Sequence, residues 1–359
     1  MSLHHTLLLD DPQTYAQLDP TGLRNRIGDL PRQCFKAWRQ GRDFALPLGY
    51  GSSRHIVIAG MGGSAIGGDL LADLVSMEKA LPIAVCRDYI LPPHVGRDSL
   101  VIASSLSGNT EETLSACLDA LDRGARVVAM TAGGRLGQMA RETGIPQLCI
   151  DYTGEPRTAL GYSFLVPLAI LQGLGLIEPK DEQIEEALEV LAFLVRRLGP
   201  GVPHEENPAK DLAATLQGKL VVLYGAGHLS GVARRWKAQL NENAKTWAFV
   251  ETLPEADHNA VAGIQWPQSV TKKACIVLLN ALGLHPRVRL RYRPTVELLK
   301  KAGVECRTVD GVGKGALSQM LSAVLFGDYT SYYLALLNGE DPSPVPSIDY
   351  VKGKLGSLS

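Results

Sequence analysis

The sequence lacks the patterns that mark several broad classes of protein. Its six cysteines are scattered and none forms a C-x-x-C pair, so we expect reduced thiols in a cytoplasmic protein. No stretch of about 18 apolar residues occurs, and no basic-then-apolar leader opens the chain, which predicts a soluble protein with no membrane partner. Lys plus Arg (36) nearly balances Asp plus Glu (37), so no broad basic surface is available for nucleic acid.

Three common catalytic signatures are also missing. The eight histidines include no H-x-x-x-H or H-x-x-E-H pair, so the sequence predicts no zinc site and no resident metal. No G-x-S-x-G occurs, because Ser64 lies one residue out of register in Gly63–Gly67, and this argues against a serine hydrolase. Gly311–Gly315 has the composition of a nucleotide-binding P-loop without its spacing.

Short β-rich runs alternate with helical patterns in two parts of the chain. Strands separated by single helices predict doubly wound parallel sheets, and therefore an α/β fold. The predicted strands are His55–Ala59, Pro82–Cys86, Leu100–Ala103, Arg126–Met130, Gln147–Ile150, Leu220–Tyr224, Thr246–Val250, Ala274–Leu279 and Val304–Val309.

The two halves open with similar strand-to-helix turns. Gly60–Ser64 and Gly225–Ser230 both carry a G-x-G pattern after an apolar run, which indicates two related subdomains. We predict an N-terminal helical extension over 1–50 and a first subdomain with connector helices over 51–200. The second subdomain is predicted over 201–359, with a terminal helix beginning near Ser347.

The segment after the third predicted strand has the composition of a phosphate-binding loop. Backbone N–H groups at the start of a helix, with the positive end of its dipole, attract an anion. Ser105, Ser107 and Thr110 add three hydroxyl donors at this point. An ordinary helix cap uses one such hydroxyl, so the set predicts a site for a phosphate monoester.

The first glycine turn also fits another class of ligand. Gly60–Ala65 satisfies the G-x-G-x-x-G/A dinucleotide fingerprint, and Asp88 follows at the distance expected for a ribose contact, although Arg87 lies beside it. A nicotinamide-dependent dehydrogenase is therefore an alternative. A dinucleotide seated on this turn does not need the hydroxyl-rich loop, whereas one small phosphate explains both loops.

Five motifs taken in order resemble one family, the bifunctional phosphoglucose/phosphomannose isomerases of the sugar isomerase (SIS) superfamily. The likeness runs from about residue 20 to the C-terminus. It implies two SIS subdomains, each a doubly wound parallel sheet flanked by helices, and a cofactor-free enzyme that interconverts glucose 6-phosphate and mannose 6-phosphate with fructose 6-phosphate. The motifs are Gly60–Gly67, Ser105–Thr113, Pro156–Gly161, Asn241–Lys245 and Pro254–Asn259.

The resemblance also implies the catalytic residues. Glu242 would move a proton between C2 and C1 of the open-chain sugar through a cis-enediol. His258 would open the sugar ring, and Arg157 would stabilise negative charge on the enediolate. Lys352 matches a lysine of the C-terminal helix that assists ring opening, with Lys354 as its alternative.

The phosphate and the partner follow from the same resemblance. In relatives the histidine reaches the site from the other subunit, so a homodimer with His258 contributed across the interface is implied. Ser343 is a candidate for holding a water near C1 and C2. The residues assigned to the substrate phosphate are Gly62, Gly63, Ser64, Ser105, Ser107 and Thr110.

Two alternatives and one departure from the family pattern stay open at this stage. From the residues alone, an ordinary surface ion pair between Glu242 and Lys245 competes with the catalytic interpretation. A non-catalytic sugar-phosphate sensor would keep the hydroxyl loop without needing the acid, base and arginine together. The family segment around the histidine commonly reads P-E-L-N-H-N-E, whereas this chain has Ala256, Asp257 and Ala260.

Overall fold

Two parallel sheets form the core of the computed structural model, which describes residues 8–78 and 80–356. The first sheet has the strand order β2-β1-β3-β4-β5, and the second has the order β7-β6-β8-β9. The predicted α/β class with two parallel sheets is thereby confirmed. The strands are β1 His55–Ala59, β2 Ile83–Cys86, β3 Ser99–Ser104, β4 Arg126–Thr131, β5 Gln147–Cys149, β6 Leu220–Ala226, β7 Ala248–Leu253, β8 Ala274–Asn280 and β9 Glu305–Asp310.

Helices flank both sheets and fill the space between them. The first half contains α1 Pro12–Leu18, α2 Leu23–Gly28, α3 Leu30–Arg42, α4 Gly62–Val75, α5 Glu111–Asp122, α6 Gly134–Thr143, α7 Leu160–Gly173 and α8 Asp181–Leu198. The second half contains α9 Pro208–Leu216, α10 Ser230–Glu242, α11 Gln268–Thr271, α12 Pro286–Lys301, α13 Ala316–Leu337 and α14 Pro346–Gly356. Across the described residues, no helix is both long enough and apolar enough to cross a membrane.

Two helices are buried on all sides and lie inside the molecule. In α7 every residue from Leu160 to Leu171 is buried, and the helix packs against α3 and α4. The 22-residue helix α13 is buried along almost its whole length and packs against α8, α9 and α10. A helix that is buried all round needs other elements to cover it, and here each is covered on several sides.

The N-terminal helices are attached to the first half through polar and close apolar contacts. The Gln33 side chain donates to the Thr158 carbonyl (2.8 Å) and accepts from the Gly161 N–H (2.6 Å). Gly41 of α3 lies against α7 so closely that a Cβ there would be 2.7 Å from Cβ of Ala169. These contacts hold α3 against α7 and the segment that precedes it.

Strand order places the first two loops of the first half side by side. Strands β1 and β3 are parallel neighbours with Ala59 opposite Ala103, so the loops that follow them leave the same edge of the sheet. This carboxyl edge is where open α/β sheets bind ligands. Helix α4, which begins at this edge, also packs against α10 of the second half. The edge therefore borders the boundary between the two halves.

Candidate functional site

The loop between β3 and α5 gathers the three predicted hydroxyls. Ser105 is buried, and its Oγ lies 2.9 Å from Oγ1 of Thr110 and 3.5 Å from Oγ of Ser107. The same Ser105 oxygen accepts the N–H of Gly108 at 3.1 Å, while Ser107 is exposed and accepts the N–H of Asn109. The three hydroxyls form one cluster at the start of a helix.

The shape of this loop depends on a glycine and leaves the helix start open. Gly108 has φ +69°, and a Cβ there would lie 1.9 Å from the Gly133 carbonyl oxygen, so only glycine fits. Thr110 precedes the first turn of α5, but its hydroxyl makes no capping hydrogen bond. Since that hydroxyl is directed to Ser105, the first N–H groups of α5 are not capped by it and suit an anion.

The glycine turn after β1 lies between this loop and the segment that carries Arg157. A Cβ at Gly60 would be 2.8 Å from the Ser104 carbonyl oxygen, so the turn packs against the end of β3. A Cβ at Gly63 would be 2.5 Å from the Pro156 oxygen and 2.7 Å from the Arg157 nitrogen. Gly62 has φ +49° and is exposed, and Ser64 is buried in the first turn of α4.

The predicted base and the predicted arginine meet at the end of α10. Nη1 of Arg157 lies 3.5 Å from Oε2 of Glu242, with the two side chains 4% and 23% exposed. Burial lowers the pKa of the Arg157 guanidinium, but the neighbouring Glu242 charge opposes that shift. A partly open carboxylate beside a fixed cation is an arrangement that can remove a proton and stabilise the resulting anion.

The alternative of a surface ion pair between Glu242 and Lys245 is not what the structure shows. Lys245 instead donates from Nζ to the backbone carbonyl of Glu242 at 2.7 Å and to that of Asn243 at 3.3 Å. Its φ of +53° is the left-handed conformation, which non-glycine residues seldom adopt. Lys245 therefore closes the end of α10 and leaves the Glu242 carboxylate facing Arg157.

A cavity of about 300 Å³ joins these groups. Gly62, Gly63, Arg157 and Glu242 all line it, together with Val250 of β7. Ser105, Ser107 and Thr110 are not among its lining residues; they lie at the adjacent strand end, beyond the contact between Gly60 and Ser104. A second cavity of about 560 Å³ lies between α10 and the start of α14, and Glu242 lines it as well. Glu242 thus borders both cavities.

The predicted histidine lies elsewhere in the chain's own fold. His258 is exposed at the end of the short 3-10 helix Glu255–His258 and lines neither cavity. Asp257 beside it accepts from Thr295 at 2.9 Å and pairs with Arg291 at 3.2 Å, both on α12. Ala256 is completely buried. The residues that depart from the family pattern therefore anchor the histidine segment to the second half.

The C-terminal lysines are likewise not beside Glu242 within one chain. Every residue from Pro346 to Leu355 is exposed, including Lys352 and Lys354, and neither lysine lines either of the two cavities described above. Only the start of α14, at Ser347 and Ile348, borders the larger cavity.

Ser343 is buried, and its hydroxyl already has partners. Its Oγ lies 2.6 Å from Oγ1 of Thr21 and accepts from Nη2 of Arg26 at 3.3 Å. Its backbone carbonyl accepts from Arg157 at 2.7 Å. The suggestion that this hydroxyl holds a water near the sugar stays a prediction, and the contact of Ser343 with Arg157 is made through its backbone.

A buried polar network that no local sequence pattern indicates lies behind Arg157. Arg235 of α10 donates to the Arg157 carbonyl at 3.1 Å and pairs with Asp328 of α13 at 2.6 Å. Gln239 donates to the same carboxylate at 3.0 Å, and Asn243 accepts from Nε of Arg157 at 2.8 Å. Burial raises the pKa of Asp328 even though Arg235 favours its charged form. This network ties the arginine of the first half to α10 and α13.

The counterpart of the glycine turn in the second half is filled by the protein itself. Gly227 has the same φ of +49° as Gly62, but a Cβ there would lie 3.2 Å from the Leu284 side chain. The Gln319 amide occupies the neighbouring space, since its Oε1 lies 3.1 Å from Nε2 of the buried His228 and accepts the Gly283 N–H at 3.3 Å. Of the two related turns, the first is the one left open.

The other candidate ligand sites are also accounted for by contacts within the chain. The N–H groups of Lys314 and Gly315, in the segment that resembles a P-loop, donate to the carboxylate of Glu186. Arg87 pairs with Asp69 at 2.5 Å, and Asp88 accepts the N–H of Tyr89. Within residues 8–78 and 80–356, no three His, Cys, Asp or Glu side chains converge so as to hold a metal ion.

Similarity to solved structures supports the fold. The tagatose-6-phosphate ketose/aldose isomerase of Escherichia coli superposes with a TM-score of 0.69 at 16% identity, over 91% of this chain and 97% of that one. A glucose-6-phosphate isomerase-like protein of Thermus thermophilus superposes with a TM-score of 0.63 at 23% identity, over 94% and 98% of the two chains. At these identities the likeness shows a shared fold.

Similarity in sequence identifies the family. The bifunctional phosphoglucose/phosphomannose isomerase of Caldicellulosiruptor bescii is 41% identical over 333 residues, which cover 92% of this chain and 98% of the relative. That of Thermoplasma acidophilum is 34% identical over 85% and 91% of the two chains. Residues 205–355 match the family described as the bacterial phospho-glucose isomerase C-terminal SIS domain. The resemblance drawn from the five motifs is confirmed, and this chain belongs to the bifunctional phosphoglucose/phosphomannose isomerase family.

Proposed function

We propose that this chain is a sugar-phosphate aldose–ketose isomerase that interconverts glucose 6-phosphate and mannose 6-phosphate with fructose 6-phosphate. The observation that carries the proposal is the 3.5 Å approach of the Arg157 guanidinium to the Glu242 carboxylate in a cavity that opens on the N-terminus of α4. Family membership supplies the reaction class, since the relatives bear the names of both isomerase activities.

Glu242 is the proposed base for the proton transfer. Its carboxylate takes the proton from C2 of the open-chain aldose, the C–H electrons form the C1=C2 double bond, and the C1 oxygen gains a proton. The resulting cis-enediol loses the proton of its C2 hydroxyl as the C2 carbonyl forms, and Glu242 returns its own proton to C1. Charge that develops on the two oxygens is stabilised by Arg157, which is already in place and needs no reorganisation.

The sugar phosphate is proposed to bind at the carboxyl edge of the first sheet. Two uncovered helix starts meet there, those of α4 and α5, and both favour an anion. Gly62, Gly63 and Ser64 contribute from the first loop. The hydroxyl cluster of Ser105, Ser107 and Thr110 contributes from the second loop, beside Gly60. Phosphate at this edge directs the sugar chain across the cavity toward Glu242.

We further propose that a second copy of the chain completes the site. His258 lies outside both cavities of its own chain, so it serves the reaction only when it is presented to another copy. A large apolar side chain is exposed just beyond this segment, that of Trp266 at 73%, and such surface is typical of an interface. Tyr350 and Val351 of α14 are exposed in the same way. A partner subunit that covers them would also lie against Lys352, the next residue in the chain.

Activity without added cofactors is the first test. Purified protein with EDTA and without nucleotide should convert both aldose phosphates to fructose 6-phosphate, because enediol chemistry needs neither metal nor hydride carrier. Glu242→Gln should lower kcat by at least about 1000-fold while sugar-phosphate binding remains. Glu297→Gln, at an exposed ion pair with Arg293, is the matched control and should keep full activity.

Two results would overturn the proposal. A strict requirement for NAD(P) would identify a dehydrogenase, and sugar-phosphate binding without turnover would identify a sensor.

The subunit arrangement has its own test, in which Glu242→Gln and His258→Ala proteins are unfolded and refolded together. About half of the refolded dimers should be mixed, and each mixed dimer carries one intact site of its two. About a quarter of wild-type activity should therefore return, and no recovery would contradict a shared site.

A further inference from the structure

Two of the three nitrogens of the Arg157 guanidinium donate short hydrogen bonds to the protein. Nε donates to Oδ1 of Asn243 at 2.8 Å, and Nη2 donates to the backbone carbonyls of Pro342 and Ser343 at 2.8 and 2.7 Å. Nη1 is the nitrogen that lies 3.5 Å from Glu242. The planar group is therefore fixed along its Nε and Nη2 side, and its remaining edge faces the carboxylate.

Asn243 is itself held at both ends of its amide. It is only 1% exposed, and its Nδ2 donates to Oγ of Ser331 at 3.0 Å, which in turn donates to the Asp328 carbonyl. Its backbone N–H donates to Gln239, so the residue ends α10 directly after Glu242. Because the amide nitrogen already has an acceptor, the amide oxygen is directed at Arg157.

The absence of charge on the Asn243 side chain matters for the chemistry. A carboxylate at the same position would bind Nε just as well, but it would neutralise part of the positive charge that Arg157 offers to Glu242 and to the enediolate. The nearby carboxylate of Asp328 is engaged elsewhere, by Arg235 and Gln239. An amide orients the guanidinium and leaves its charge directed at the cavity.

We propose that Asn243 is a positioning residue that sets the plane of the Arg157 guanidinium toward Glu242 without neutralising it. The inference rests on the proposed function, because its readouts are those of the isomerase reaction. It adds to that function a residue that does not touch the substrate. The base and the anchor of its cationic partner are adjacent in the chain, so one helix end fixes both.

Two substitutions separate orientation from charge. Asn243→Ala removes the anchor, and we expect kcat to fall about tenfold with less than a twofold change in KM for the sugar phosphate. Asn243→Asp keeps the shape and adds a charge, so the acidic limb of the pH profile of kcat/KM should move up by about one pH unit. Asn280→Ala is the matched control, since the Asn280 side chain is paired with Asp310 and lines neither cavity.

A double-mutant cycle tests the route of the effect. In an Arg157→Lys protein, residue 157 has no guanidinium plane for Asn243 to orient. The change Asn243→Ala should therefore lower kcat by less than twofold in that protein. Inorganic phosphate binding and the urea midpoint report whether each variant is folded, and Asn243→Asp serves if Asn243→Ala does not fold. An inactive wild type would refute the proposed function; an active wild type with additive Asn243 and Arg157 effects, or with an unmoved pH profile in Asn243→Asp, would refute this inference.

Discussion

Replacing Gly63 with alanine tests how closely the first glycine turn must approach the segment of Arg157. The new Cβ would lie 2.5 Å from the Pro156 oxygen and 2.7 Å from the Arg157 nitrogen, both of them backbone atoms that cannot rotate away. Ordinary contact begins near 3.4 Å, so the two segments must separate by nearly an ångström. That separation would displace Arg157 from its 3.5 Å approach to Glu242.

The size of the effect follows from this overlap. Overpacking of this kind costs about 2 to 3 kcal/mol in the free energy of unfolding. Misplacement of a catalytic group by about 1 Å can lower the rate about 100-fold. Gly62→Ala is the matched control, because a Cβ there meets nothing within 4 Å and only the φ of +49° is unfavourable, at about 1 kcal/mol.

Urea unfolding and steady-state kinetics on both variants measure the difference. We expect Gly63→Ala to be less stable than Gly62→Ala by more than about 1 kcal/mol, with the larger loss of kcat. Equal stability of the two variants, or an unchanged kcat in Gly63→Ala, would refute the reasoning that close packing at this glycine positions the arginine.

Three further predictions concern the phosphate loop, pH dependence and backbone strain. Ser105→Ala should raise KM about tenfold with kcat nearly unchanged, measured with inorganic phosphate as competitor; an unchanged KM would remove Ser105 from the phosphate site. Burial raises the pKa of Asp73 to about 6, so the folded state holds this proton more tightly and stability falls as pH rises from about 4 to 6. The free energy of unfolding of Asp73→Asn, measured by urea titration, should therefore rise by about 2 kcal/mol relative to that of the wild type as the pH goes from 4 to 7. A difference between the two proteins that does not change with pH would contradict this. Lys245→Gly should be more stable than Lys245→Ala by about 1 kcal/mol, because both lose the Nζ contacts and only glycine relieves the φ of +53°.

The strands were predictable because their pattern is local. Runs rich in Val and Ile between turn residues mark buried parallel strands, and β1 occupies the predicted residues His55–Ala59. The one larger shift, from Thr246–Val250 to Ala248–Leu253 for β7, has a local cause. Thr246 is still part of the turn after α10, since its N–H donates to the Leu240 carbonyl.

The surroundings of Arg157 and Glu242 were not predictable in the same way. The partners of Arg157 are Asn243 and the carbonyls of Pro342 and Ser343, which lie 86 to 186 positions away along the chain. Only the packing of the two halves brings them together. Closure of the second glycine turn depends in the same way on Gln319, a residue of another element that no local pattern links to Gly227.

The assigned roles of the site residues stay predictions until the reaction itself is followed. The central claim is that the Glu242 carboxylate carries a proton between C2 and C1 of a bound sugar phosphate. The most direct measurement is the conversion of glucose 6-phosphate to fructose 6-phosphate in D₂O, with deuterium at C1 of the product read by NMR. The proton held by the Glu242 carboxylate can exchange with solvent before it is returned, so we expect the wild-type product to carry deuterium at C1 in part and the original C2 hydrogen in the remainder. Glu242→Gln, which still binds the sugar phosphate, should form no product above background. Product formed by Glu242→Gln at the wild-type rate, with or without deuterium at C1, would contradict the claim.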